Sequence, residues 1–159
     1  ETIDQLNVAK YAASLPFVDG ARIGIAGWSY GGYETLMCAT STECPFKAAV
    51  AIAPVTSWRY YDTVYTERYM LTPQENSEGY DAGAPVMRAD KMNCRLLIMS
   101  GTADDNVHLS NTIEFVGKLQ EADRYCDMFL FPNMNHSIYG CDARALVYGR
   151  MVEYFKVNL

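Results

Sequence analysis

The pentapeptide Gly27-Trp28-Ser29-Tyr30-Gly31 sets a serine hydroxyl between two glycines, after an apolar stretch and before helix-forming residues. A G-x-S-x-G pattern at a strand-to-helix turn displays a nucleophile clear of a sheet. So tight a turn strains the serine backbone, and nearby glycines leave room that side chains would deny. The following helix aims its first N–H groups back toward the serine, which makes the Tyr30 N–H a candidate donor to an oxyanion formed in acyl transfer.

A serine at neutral pH needs a base. The chain has two histidines, His108 and His136. On this kind of turn the partners follow in the order serine, aspartate, histidine, each after a later strand. "SGTADDNVH" follows one later apolar run and "FPNMNHSIYG" follows the next. His136 therefore stands where the base belongs. Asp104 or Asp105 stands where the carboxylate belongs, to accept from the imidazole Nδ1–H and favour the imidazolium; spacing alone leaves both open. His108 lies on the acid's own loop at a helix start, a poor position for the base.

These groups need a scaffold, and the apolar runs supply one. "RIGIAG" (22–27), "FKAAVAIAP" (46–54), "RLLIMSG" (95–101) and "CDMFLFP" (126–132) read as strands. Helical patterns follow three of them, at Tyr30 to Thr40, Leu109 to Glu121 and Ala143 to Val157, and another opens the chain. Apolar strands alternating with helices predict an α/β fold, a parallel sheet covered on both sides. A long insertion, Val55 to Cys94, separates the second and third strands. Its first part reads as a helical segment on which Trp58, Tyr61, Tyr65 and Tyr69 share one aromatic face. Tyr69 is expected to pack in the core, and Glu67–Arg68 to form an ion pair with no catalytic role. The second part, "TPQENSEGYDAGAP", reads as loop.

With 159 residues, 50% hydrophobic, the chain has material for one core. A net charge of −6 and no basic block argue against nucleic acid as a partner. No apolar run is long enough to span a bilayer, so no membrane contact is expected from this segment. Five cysteines without C-x-x-C spacing suggest buried small hydrophobes rather than a metal site, with room for one disulfide. The chain opens in a helical pattern without a methionine, which suggests a piece of a longer protein whose export signal would lie upstream.

"GWSYGG", "APVTSWRYYDTVYTERYM" and "GTADDNVH" together resemble the catalytic domain of the prolyl oligopeptidase family, dipeptidyl peptidase IV branch, serine peptidases of the α/β-hydrolase fold. The resemblance spans the chain and implies its C-terminal portion of that domain, with the first strands and a β-propeller missing. It implies a catalytic triad of Ser29, Asp104 and His136, with the first aspartate of the pair catalytic and no cofactor or metal. The implied reaction releases N-terminal dipeptides with proline or alanine second. The proline pocket would be Tyr30, Val55, Trp58, Tyr61, Tyr65 and Val107, and Asn106 would hold the carbonyl of the substrate's first residue. A flat aromatic pocket suits a rigid apolar ring.

The resemblance also places two features upstream of this chain: paired propeller glutamates for the substrate amine, and a tyrosine completing the oxyanion hole. The fragment alone is therefore expected to have little or no activity. The open edge of the 22–27 strand predicts self-association, and family members dimerise through the last strand and helix. Export to a periplasm or cell surface is implied in the same way. The segment departs from the animal pattern: Ala48 and Asn158 stand where a disulfide would be, Ser100 replaces a frequent histidine, and Asn135 and Ser137 flank His136. "TPQENSEGYDA" looks more bacterial. An esterase or acylaminoacyl peptidase on the same fold, or a non-catalytic binding module, are the alternatives.

Overall fold

The computed structural model of the chain describes all residues, 1–159. Its centre is a four-stranded sheet of β1 (Gly24–Trp28), β2 (Ala48–Ile52), β3 (Arg95–Gly101) and β4 (Asp127–Phe131), ordered as in the sequence. Every neighbouring pair is parallel. Strands β2, β3 and β4 fall inside the apolar runs expected for them, and β1 runs one residue past its own, to Trp28.

Because side chains alternate along a strand, the inner strands feed two cores. On one face Ala49, Ala51, Leu96 and Ile98 pack with Leu36 and Ala39 of helix α2 (Tyr30–Ala39) and Phe115 and Leu119 of helix α5 (Ser110–Glu121). On the other, Val50, Ile52, Leu97 and Met99 pack with Ala143 and Val147 of helix α6 (Ala143–Asn158). Strand β2 is buried along its whole length. The edge strands differ: β1 is half-buried, and β4 begins with exposed Asp127 and Met128. Outer strands lack a neighbour on one side, so the expectation of apolar strands without a wet face holds only for the inner two. Helix α1 (Thr2–Ala13) lies on α2, burying Leu6 and Ala9 with Cys38 and Phe46.

The insertion departs from the sequence reading in two ways. The aromatic segment is not one helix: a 3₁₀ turn at Trp58–Tyr60 is followed by extended Tyr61, and only then by helix α3 (Thr63–Met70). Asp62 starts α3 anew, its carboxylate accepting from the Tyr65 N–H at 2.8 Å. The stretch read as loop holds helix α4 (Ser77–Ala82), and a 3₁₀ segment, Pro85–Lys91, starts where it ends. Asn76 caps α4 by accepting from the Gly79 N–H, and Arg59 ties it back to the aromatic segment through Asp81 at 2.8 Å. No helix is long and apolar enough to cross a membrane.

Candidate active site

Ser29 stands between the end of β1 and the first residue of α2, with φ 59° and ψ −116°. A side-chain-bearing residue adopts such a conformation only when its surroundings force it, at roughly 1–3 kcal/mol. Here the force comes from the close approach of helix to strand. A Cβ at Gly27 would run into the Gly31 carbonyl, so position 27 must be glycine. Gly31 is different: a Cβ there would meet nothing, so the steric demand falls on one of the two flanking glycines. The Ser29 N–H donates to the Ile52 carbonyl at 2.8 Å, anchoring the turn to β2.

His136 and Asp104 reach the serine from loops stitched to each other. The Thr102 N–H donates to the Phe131 carbonyl and the Ala103 N–H to the Met134 carbonyl, both at 3.0 Å. Gly101 permits this approach, since a Cβ there would strike the Met134 carbonyl. The outcome is a continuous line: Asp104 Oδ2 lies 2.7 Å from His136 Nδ1, and His136 Nε2 lies 2.8 Å from Ser29 Oγ. The Asp104 side chain is fully buried and its second oxygen accepts from the Asn106 and Val107 N–H groups at 3.0 and 2.9 Å. Those two bonds satisfy a buried carboxylate and aim its free oxygen at the imidazole. Asp105, the alternative, is exposed, and His108 is exposed as well. Tyr30, as the first residue of α2, has an N–H with no helical carbonyl behind it.

The residues nominated for a substrate pocket are distributed over two hollows and a core. Tyr30, Trp58 and Tyr65 border a cavity of about 560 Å³ together with Tyr33, Tyr69 and Met70. Tyr61 and Asn106 border a second hollow, of about 400 Å³. Val55 and Val107 line neither; both are buried in a cluster with Tyr33, Met37, Trp58 and Tyr80, where they back the aromatic wall. The wall is a row of touching rings, with Trp58 stacked on Tyr65 at 5.9 Å and Tyr61 edge-on to Tyr65 at 5.5 Å. Tyr69 continues it at 5.1 Å from Tyr65 and is 68% exposed, which overturns its reading as core. Arg68 lies over the Tyr69 ring at 5.8 Å instead of pairing with Glu67.

Three positioning contacts had no strong signal in the sequence. The Tyr61 hydroxyl donates to Asn106 Oδ1 at 2.9 Å, which leaves the Asn106 amide N–H groups for another acceptor. The Trp28 indole N–H donates to the His136 carbonyl at 3.0 Å, tying the His136 main chain to the serine turn. Asn111, buried at the start of α5, accepts from the Thr56 N–H at 3.0 Å and so fixes where the insertion leaves the sheet. Ser100, by contrast, bonds Thr112 at 2.7 Å inside the core and does not reach the site.

A parallel sheet with helices on both faces, and a serine, a histidine and an aspartate joined at the carboxyl ends of its strands, define an α/β-hydrolase architecture. The sequence model of the prolyl oligopeptidase family matches residues 1–159, and the chain belongs to that family. Among its relatives is the Probable dipeptidyl-aminopeptidase B of Paracoccidioides brasiliensis, 46% identical over 97% of this chain and 17% of the relative. The protein of the same name from Grosmannia clavigera is 47% identical over 95% of this chain and 16% of its own length. The crystal structure of Porphyromonas gingivalis dipeptidyl peptidase 4 superposes with a TM-score of 0.97 at 48% identity, covering 99% of this chain and 22% of that one. The chain thus spans about a sixth of the length of the curated relatives it matches.

Proposed function

We propose that this chain is the C-terminal part of the catalytic domain of a serine exopeptidase that releases N-terminal dipeptides with proline or alanine second. In this reading Ser29 attacks the carbonyl after the second residue and His136 takes the proton, then returns it to the leaving amine. Asp104 holds the imidazole with its proton on Nδ1, and the Tyr30 N–H meets the oxyanion. The observation that carries the proposal is the hydrogen-bonded line from buried Asp104 through His136 to Ser29 Oγ, at 2.7 and 2.8 Å.

The rings of Tyr30, Trp58, Tyr61 and Tyr65, backed by Val55 and Val107, would enclose the proline ring. Asn106 would donate to the carbonyl of the first residue, because its own oxygen is already engaged by Tyr61. The names of the relatives, dipeptidyl-aminopeptidase and dipeptidyl peptidase, support a two-residue product. A propeller domain and an upstream tyrosine would supply the amine anchor and the second oxyanion donor in the intact protein. Loss of one such donor costs about 10²–10³-fold in turnover, so the isolated segment would be close to inactive. Self-association through the β1 edge or the last strand and helix, and export from the cell, complete the proposal.

The test uses the intact protein. A fluorophosphonate probe should label Ser29, and a Gly-Pro chromogenic substrate should be turned over faster than a simple ester. Absence of the Ser29 adduct would favour a binding module; equal or faster ester turnover would favour an esterase.

A further inference from the structure

We propose that Glu1, at the start of helix α1, is a positioning residue for the aromatic pocket: its carboxylate holds the Tyr30 ring in the pocket wall and thereby favours proline over alanine as the substrate's second residue. The inference rests on the reading of that pocket as the seat of the second residue. The Tyr30 hydroxyl donates to Glu1 Oε1 at 2.6 Å, the short distance typical of a hydroxyl bonded to a charged carboxylate. Glu1 and Tyr30 border the same cavity of about 560 Å³, together with Trp58 and Tyr65.

The ring has few other restraints. It meets Tyr33 edge-on at 5.3 Å and lies tilted on Trp58 at 5.7 Å, yet 40% of Tyr30 stays exposed. The bond to Glu1 fixes the far end of the phenol. Partial burial, and then this bond, raise the hydroxyl above the ordinary phenol range, so Tyr30 remains a donor.

The carboxylate is held by contacts outside the pocket. Leu6 and Ala9 seat α1 against Cys38 and Phe46, and the Thr2 hydroxyl donates to Glu34 Oε2 at 3.2 Å. The Gln5 N–H donates to the Glu1 carbonyl at 2.9 Å, which fixes the main chain at Glu1 to the first turn of α1. The main chain beside Tyr30 is secured separately, by the Ser29 N–H on the Ile52 carbonyl at 2.8 Å and the Tyr33 N–H on the Ser29 carbonyl at 2.9 Å. Removing the Glu1 carboxylate would therefore release the ring and leave the Tyr30 N–H in place for the oxyanion. A pocket wall holds the substrate equally before and in the transition state, so its loosening raises KM and spares kcat. A pyrrolidine ring buries more apolar surface on that wall than a methyl group, so proline substrates lose more than alanine ones.

Steady-state kinetics of the intact protein with Gly-Pro and Gly-Ala chromogenic substrates test this, beside calorimetric binding of glycyl-pyrrolidine, which needs no turnover. Glu1→Ala should lower kcat/KM for Gly-Pro about tenfold through KM, change Gly-Ala by about twofold at most, and weaken glycyl-pyrrolidine about tenfold. Glu1→Gln keeps an oxygen acceptor at the same reach and should stay within about threefold of native. Tyr30→Phe should match Glu1→Ala, and the double variant should lose no more than either. Thr2→Val removes the neighbouring bond between α1 and α2 but not the tie to Tyr30, and should leave the preference for proline unchanged. An unchanged preference and unchanged binding in Glu1→Ala, additive losses in the double variant, or an equal loss in Thr2→Val would overturn the inference alone. A native protein that neither binds glycyl-pyrrolidine nor prefers proline would overturn the reading of the pocket and this inference with it.

Discussion

Exchanging Asp104 for asparagine replaces one oxygen by an amide nitrogen, and the local bonding dictates where that nitrogen goes. The position of Oδ1 faces two N–H donors, from Asn106 and Val107 at 3.0 and 2.9 Å, so only the amide oxygen fits there. The NH₂ group must then take the place of Oδ2, 2.7 Å from His136 Nδ1, and it donates. The imidazole is forced to carry its proton on Nε2, which now donates toward Ser29 Oγ instead of accepting from it. A base turned into a donor should lower kcat on the order of 10⁴-fold, or about 5.5 kcal/mol of transition-state stabilisation, with the fold intact. Turnover of a Gly-Pro chromogenic substrate by the intact Asp104→Asn protein, beside its circular dichroism spectrum, measures this. Asp105→Asn, at an exposed neighbour, should stay within a few-fold of the native rate. Asp104→Asn activity within tenfold of native, or a matching loss in Asp105→Asn, would refute the reasoning.

Tyr61→Phe removes the hydroxyl that engages Asn106 Oδ1 and frees the amide to turn, so kcat/KM should fall about tenfold, mostly through KM; dipeptide substrates in steady state decide it. Trp28→Phe deletes the tie to the His136 carbonyl, and kcat should drop about five- to tenfold with little change in KM. Glu34 is buried with Oε1 unpartnered, and burial raises its carboxyl above 4.5 despite a hydrogen bond from Thr2. The folded state therefore holds this proton more tightly than the unfolded one, so the contribution to stability is present below pH about 4.5 and is lost as pH rises through the folded value. Glu34→Gln should accordingly stabilise by about 1 kcal/mol at pH 7 and by nothing near pH 4. Urea unfolding at both values checks it, and an equal change at the two would count against the assignment.

The helices of the insertion illustrate where pattern reading fails. "TPQENSEGYDAG" is rich in residues that favour turns, yet Asn76 caps a short helix and Tyr80 on it is 1% exposed. Its stability comes from the buried Tyr80 ring and the Arg59–Asp81 tie, neither of which a local pattern contains. The aromatic segment fails in the opposite way. Helical spacing from Trp58 to Tyr69 is continuous, but the Asp62 cap restarts the helix, and the rings still meet because they pack across the break.

What local order governs was readable from residues alone: the strand pattern and the turn that lifts Ser29. Each depends on neighbours within a few positions, so spacing carries it. Spacing left Asp104 and Asp105 both open and only the family resemblance pointed to Asp104; the physical reason lies in the bonds joining the loops after β3 and β4, which turn one side chain inward and leave the other in water. The same holds for the free amide of Asn106 and for the placing of Val55 and Val107 behind the wall. Those are contacts between distant segments, and the register of a parallel sheet creates them only once the whole chain has packed.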